Sequence, residues 1–371
     1  MHLVVDARSI HSHMGGIGRA ATQLIPELAR KAGANRITVI LGAQPPDEID
    51  LGGVDLMQVE AGMIDQHFEQ LGLPLVLEEL RADVYLNPCF SVPALKTCSA
   101  HMSIIHDVVF EDHPEWVEPS LRDYLQRWSR FAAANADHLI TVSEHARRRI
   151  CSVYDVPRER ITVIANGIPD SAFLWPAKDR LKRIRSAHQL GSDPFVLYLG
   201  SLEPKKGTPT LIRAFSELAT QGFSGLLVLA GASGGSEMDL QALIVASGYS
   251  HRIRVLGYVD EADKMALLAE ADQLVYPSRY EGFGIPPLEA MALGTPCVTS
   301  NVTSLPEVVG DVALMTPPDD PLALAAMMRR AREDVSFRKR AKELGPQRAR
   351  QFNWPQAAHR YWEICSAVES H

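Results

Sequence analysis

The chain has 371 residues, 46% of them apolar and 22% charged, and a formal net charge of −8. That length exceeds what one hydrophobic core usually supports, so two domains are expected, and the acidic balance argues against general nucleic-acid binding, which needs a basic surface. Five cysteines without C-x-x-C spacing, a start lacking a basic leader and apolar core, and no run of membrane-span length point to a reduced, cytoplasmic protein without structural zinc.

In chain order, "LVVDA" (3–7) reads as a strand and "IGRAATQLIPELARK" as a helix, followed by strands at "ITVIL" (37–41), "HMSIIH" (101–106) and "HLITV" (138–142). The segment 165–193, "ANGIPDSAFLWPAKDRLKRIRSAHQLGSD", is rich in Pro, Gly and charge and suits an interdomain connection. Beyond it, "FVLYLG" (195–200), "LLVLAG" (226–231), "RIRVLGY" (252–258), "QLVYPS" (273–278), "PCVTS" (296–300) and "ALMTP" (313–317) alternate with stretches of helical periodicity. Single helices between strands imply parallel sheets covered on both faces. The expected fold class is therefore α/β, with two doubly wound parallel-sheet domains. Residues 1–168 form the first and 169–352 the second, with a linker at 169–193. The last helical stretch, 353–371, follows no strand of its own and is expected to pack back on the first domain.

Open α/β sheets bind ligands at the carboxyl ends of their strands, so the loops there are the places for chemistry. "HMGGIG" (13–18) lets backbone at Gly15 and Gly16 approach an anion closely, although a plain tight turn explains it equally well. "IIHDVVF" (104–110) puts His106 at a strand end, where an imidazole could donate to a hydroxyl or oxyanion. "GSLEPKKG" (200–207) presents Ser201, Lys205 and Lys206 to a diphosphate, or carries two solvated lysines. "YEGFGIPPLEA" (280–290) has two prolines that suit the first turn of a helix starting near Ile285 and ending at Gly294. Glu281 then precedes the helix and Glu289 lies one turn inside, while the amides of Phe283, Gly284 and Ile285 line its positive end. "SLPE" (304–307) has capping-box spacing and reads as a helix start. "GASGG" (231–235) fits a nucleophile elbow at Ser233, but the three histidines after it, at 251, 359 and 371, sit in no suitable loop.

Taken together, "EGFGIPPLE", "GGIGR", "IHDVVF…HPEW", "TVSEHARR", "GSLEPKKG" and "GTPCVTSNVTSLPEVVGD" resemble, in order and across almost the whole chain, the retaining glycosyltransferases of family four. The resemblance implies the GT-B fold, two Rossmann-like domains with an interdomain cleft, and a nucleotide-sugar, GDP- or UDP-linked, bound mainly on the second. It implies that Glu289 holds the ribose, that Glu281 and the Phe283–Ile285 backbone contact the donor sugar, and that His106 meets its hydroxyls. It further implies that Lys205 and Lys206 bind the diphosphate beside the amide of Gly16, and that the loop around Val259 touches the base. Many relatives carry an arginine in the phosphate loop where this chain has Ser201 and Lys205, which loses the bidentate fork.

The expected function is hexose transfer, mannose favoured through "HDVVF…HPEW", to a glycan, lipid-linked or small-molecule acceptor. The nucleotide-sugar is a substrate, no cofactor is expected, and the absence of a D-x-D triplet suits a metal-independent enzyme. Catalysis is expected from His106, Glu281 and Lys206. A sugar-nucleotide epimerase and a serine hydrolase using Ser233 stand as alternatives. The runs "ARRRI" (146–150) and "KDRLKRIR" (178–185) are solvated helix faces or peripheral contacts with the inner face of a membrane.

Overall fold

The computed structural model describes residues 1–11, 14–46, 49–232 and 239–369. The chain divides into two compact units, Met1–Gly167 with Asn353–His371, and Ile168–Phe352. In chain order the first contains β1 (His2–Asp6), α1 (Gly16–Lys31), β2 (Arg36–Leu41), β3 (Asp55–Gln58), α2 (Leu73–Leu80), β4 (Val84–Asn87), β5 (Ala100–Ile104), α3 (Val109–Asp112), α4 (Pro119–Asn135), β6 (His138–Thr141), α5 (Glu144–Tyr154) and β7 (Ile161–Val163). The second contains α6 (Lys178–Ala187), β8 (Phe195–Leu199), α7 (Thr208–Thr220), β9 (Leu226–Ala230), α8 (Leu240–Ala246), β10 (Ile253–Gly257), α9 (Glu261–Glu270), β11 (Gln273–Tyr276), α10 (Ile285–Ala292), β12 (Cys297–Ser300), α11 (Leu305–Val309), β13 (Leu314–Thr316), α12 (Pro321–Glu333) and α13 (Val335–Ala349). A final helix, α14 (Trp354–Glu369), belongs to the first unit.

Both sheets are parallel throughout, and the fold is the expected pair of α/β units. The central strands β1, β5, β8 and β9 are buried at every position, as continuous apolar runs require when helices cover both faces. The first sheet runs β3-β2-β1-β4-β5-β6-β7 and the second β10-β9-β8-β11-β12-β13. Strand order therefore reverses between β1 and β4 in one unit and between β8 and β11 in the other. At such a reversal the connections leave toward opposite faces, and a crevice opens at the carboxyl ends of the two strands. In the second unit the loops bordering it are those following β8 and β11, which carry the two lysines and Glu281, with Glu289 in the helix that follows.

The core of each unit is built by the same logic. In the second, Leu211, Phe215 and Leu218 of α7 and Leu324 and Met328 of α12 pack in one cluster with Val196, Leu227, Val275 and Val298 of the sheet. In the first, Leu24, Ile25 and Leu28 of α1 share a cluster with Leu3 and Val5 of β1 and with Trp354, Tyr361, Trp362 and Cys365 of α14. The Trp362 indole also donates to the Leu28 carbonyl at 3.0 Å. Among the described residues no helix is long and apolar enough to cross a membrane.

Trp362→Ala removes a large buried side chain and leaves that carbonyl without its donor. It is expected to destabilise the first unit by about 3–5 kcal/mol. Hydrogen exchange at the β1 amides should accelerate accordingly; unchanged protection there would mean that α14 contributes nothing to this core.

Candidate active site

At the β8/β11 reversal the two strand-end loops are stitched together. Lys205 lies in a 3-10 turn, Pro204–Lys206, that leads into α7, and its carbonyl accepts from the Arg279 amide at 2.9 Å. Gly207 follows with φ of +77°, and a Cβ there would lie 2.1 Å from the Pro277 carbonyl oxygen, so only glycine lets the loops approach this closely. Across the junction the Lys206 ammonium donates to both Glu281 oxygens, at 2.8 and 2.9 Å. Lys205 pairs with Glu203 at 3.1 Å, and the Ser201 carbonyl accepts from the Tyr198 hydroxyl at 2.7 Å.

Glu281 is 9% exposed. Burial alone would raise its pKa; the Lys206 charge and its hydrogen bonds outweigh that and hold it below the ordinary carboxylate value. The same carboxylate works on its neighbours: burial first, then the Glu281 charge, pushes the Tyr276 and Tyr198 hydroxyls up, so both stay protonated.

The loop following β12 adds a third side. Thr303, at a left-handed φ of 56°, accepts the Glu281 amide on its hydroxyl at 3.2 Å. The Ser304 hydroxyl donates to the carbonyls of Glu281 (2.9 Å) and Phe283 (2.6 Å). This corrects the capping-box expectation for Ser304 and Glu307. Helix α11 does start there, but Ser304 has helical dihedrals and makes no capping bond, because its hydroxyl is spent on the neighbouring loop. Gly284 has φ of 128°, and a Cβ on it would lie 2.8 Å from the Leu305 side chain. Phe283 is buried edge-on against Phe352. The Phe283–Ile285 backbone is thus fixed at the amino end of α10, where helix amides lack intrahelical acceptors.

Glu289, one turn inside α10, is 4% exposed and forms an ion pair with Lys264 of α9. Lys264 also meets Glu261 at 2.8 Å. Burial would lower the Lys264 pKa, but the two carboxylates reverse this and raise it, so the pair stays ionised. Sequence reasoning passed over Lys264 because a lysine in a helix with acidic neighbours looks like a surface residue. Val259 is half-buried in the loop between β10 and α9.

In the first unit His106 lies just beyond β5. Its Nε2 is 2.9 Å from the Pro88 carbonyl, which follows β4 and can only accept, so Nε2 carries the proton. Burial lowers the His106 pKa to about 4, against a smaller opposing effect of that carbonyl, and the ring is neutral at pH 7. In this arrangement the remaining nitrogen, Nδ1, is an acceptor. Gly15 and Gly16, at the start of α1, have nothing within 4 Å of an added Cβ and ordinary φ, so neither packing nor backbone demands glycine. The loop leading to them begins with a cluster unforeseen in the sequence. Buried Arg8 binds Asp6 at 2.8 Å and Glu69 at 3.2 Å, and Tyr124 donates to Glu69 at 2.7 Å.

Ser233 lies outside the described residues. Among those described, no group of three or more His, Cys, Asp or Glu side chains is arranged to hold a metal ion. In the run 178–185, Arg180 and Arg183 pair with Asp263 and Arg185 with Glu270, all on α9, so those arginines are held inside their own unit.

Two family models cover most of the chain between them: "Glycosyltransferase Family 4" over residues 14–172 and "Glycosyl transferases group 1" over residues 181–348. A relative named O-antigen chain mannosyltransferase B, from Escherichia coli, is 30% identical over 95% of this chain and 96% of its own. Among solved structures, a glycosyltransferase from Rickettsia africae superposes with a TM-score of 0.78 at 15% identity, covering 99% of this chain and 98% of its own. Anabaena HepE, solved with UDP and glucose, gives 0.77 at 18% identity, covering 99% and 100%.

Lys206→Met should cost about 3 kcal/mol at pH 7 by leaving Glu281 charged and unpaired in a buried site. Because the folded pKa of Glu281 lies below its unfolded value, the pair's contribution is full above the unfolded pKa and fades as pH falls through the folded one. The difference between wild type and variant should therefore shrink on acidification below about pH 4. Denaturant unfolding at several pH values measures it; a pH-independent difference would contradict the pair's role.

Proposed function

The chain belongs to the family 4-like glycosyltransferases of the GT-B fold, and we propose that it transfers a hexose, with mannose favoured, from a GDP- or UDP-linked donor to a hydroxyl acceptor on a glycan, lipid-linked sugar or small molecule, with retention of anomeric configuration. The observation that carries this is the Lys206–Glu281 pair at the β8/β11 reversal, beside the amino end of α10 with Glu289 one turn inside. Near full-length similarity to a protein named a mannosyltransferase supports mannose over other hexoses. With a transferase family in place, the epimerase and hydrolase alternatives lose their ground.

In this assignment the diphosphate lies against Lys205, Lys206 and the backbone at Ser201. Charge building on it as the sugar departs is stabilised by the ammonium groups and by the Phe283–Ile285 amides. Glu289, oriented by Lys264, accepts from the ribose hydroxyls, and the loop at Val259 borders the base. His106 accepts a sugar hydroxyl on Nδ1. Glu281 serves as a fixed negative charge near the developing oxocarbenium ion rather than as a covalent nucleophile, since Lys206 already engages both its oxygens.

Incubating the protein with GDP-mannose or UDP-glucose and an acceptor series, and reading the product's anomeric proton by NMR, tests the reaction. An axial donor should give an axial product; inversion would refute retention, and donor isomerisation without acceptor would restore the epimerase.

Glu289→Gln keeps the shape of the side chain but removes its charge. Nucleoside diphosphate affinity should fall by about 1 kcal/mol, the difference between a hydrogen bond to a charged and to a neutral acceptor. Calorimetry on the folded variant checks it, and unchanged affinity would remove Glu289 from the ribose.

A further inference from the structure

The run "ARRRI" differs from the arginines of α6 in how its charge is used. On α5, Arg149 pairs with Asp112, and Arg147 with Glu144, which Arg158 approaches from the far side at 3.3 Å. Arg148 is exposed and has no ion-pair partner among the described residues. The buried Nε of Arg147 has no hydrogen-bond partner there either. Two adjoining cavities, of about 370 and 570 Å³, share Arg147 and Arg158 in their walls. Arg148, Cys151 and Ser152 also line the first, and Glu144, Glu159, Arg360 of α14 and the edge strand β7 the second. Four arginines thus face two glutamates in a protein whose net charge is −8.

The geometry points to a phosphoryl-binding groove between α5, β7 and α14. Glu144 already occupies the position of an oxyanion between Arg147 and Arg158, so two guanidinium groups converge there without a ligand. Arg148 and Arg360 bring two more charges to the groove, and among the described residues Arg360 pairs with Glu363 of its own helix at 3.7 Å. Guanidinium forks match the tetrahedral oxygens of phosphate in pairs, and the three arginines lining the first cavity share one carboxylate, Glu144, among the described ion pairs. The groove is lined wholly by the first unit and is separate in sequence from the phosphate loop at Lys205 and Lys206. The phosphate can come from a soluble phosphorylated compound or from a phospholipid headgroup at a membrane surface.

The test compares wild type with Arg148→Ala/Arg360→Ala, two exposed side chains whose loss leaves the core intact, and with Arg148→Lys/Arg360→Lys. One arm titrates pyrophosphate by calorimetry; the other cosediments protein with phosphatidylglycerol vesicles and with neutral phosphatidylcholine vesicles. A soluble ligand predicts at least a tenfold loss of pyrophosphate affinity in the alanine variant, with partial recovery by lysine. A headgroup predicts phosphatidylglycerol-dependent sedimentation that the alanine variant loses while pyrophosphate binding is unchanged. If the alanine variant matches wild type in both arms, or wild type binds in neither, the groove is not a phosphoryl site.

Discussion

The Lys206–Glu281 ion pair is the constraint on which the second unit's functional geometry depends. A doubly wound sheet opens a crevice wherever its strand order reverses, but topology alone leaves the loops beside it unattached. Here the crevice floor is closed by a backbone bond from Arg279 to Lys205, by the close approach at Gly207 and by the ion pair above them. A buried carboxylate is tolerable only when its charge is compensated, and both Glu281 oxygens accept from the Lys206 ammonium. The loop after β12 then fixes the carbonyls of Glu281 and Phe283 through Ser304. Three strand-end loops, otherwise the mobile parts of such a fold, become one rigid surface.

Much of this was legible in the sequence, and what was not has physical reasons. Strands β8 to β13 announce themselves because each is an apolar run bounded by turn residues. Strand β3, "DLMQ", is largely exposed at a sheet edge, and β7 is three residues at the opposite edge, so neither carries the apolar run of a central strand. Strand β4, "VYLN", is fully buried between β1 and β5 and escapes a sequence reading although β11 and β12 are equally short.

At the candidate site, residue types and spacing pointed to Glu281, Glu289 and the two lysines, whereas their partners depend on contacts distant in sequence. Lys264 meets Glu289 across two helices, and Ser304 reaches a loop more than twenty positions earlier. The local spacing of Ser304 and Glu307 suggested a cap, and the tertiary bond won. For His106 the sequence indicated a strand-end imidazole, but only the Pro88 carbonyl decides which nitrogen keeps the proton.

Donor binding at the β8/β11 reversal is open to direct test by a crystal structure with a nucleoside diphosphate bound. It predicts diphosphate oxygens within hydrogen-bonding distance of Lys205 or Lys206, at about 3 Å, and ribose hydroxyls on the Glu289 carboxylate. A nucleotide bound away from these residues, with the Lys206–Glu281 and Lys264–Glu289 pairs untouched, would contradict it.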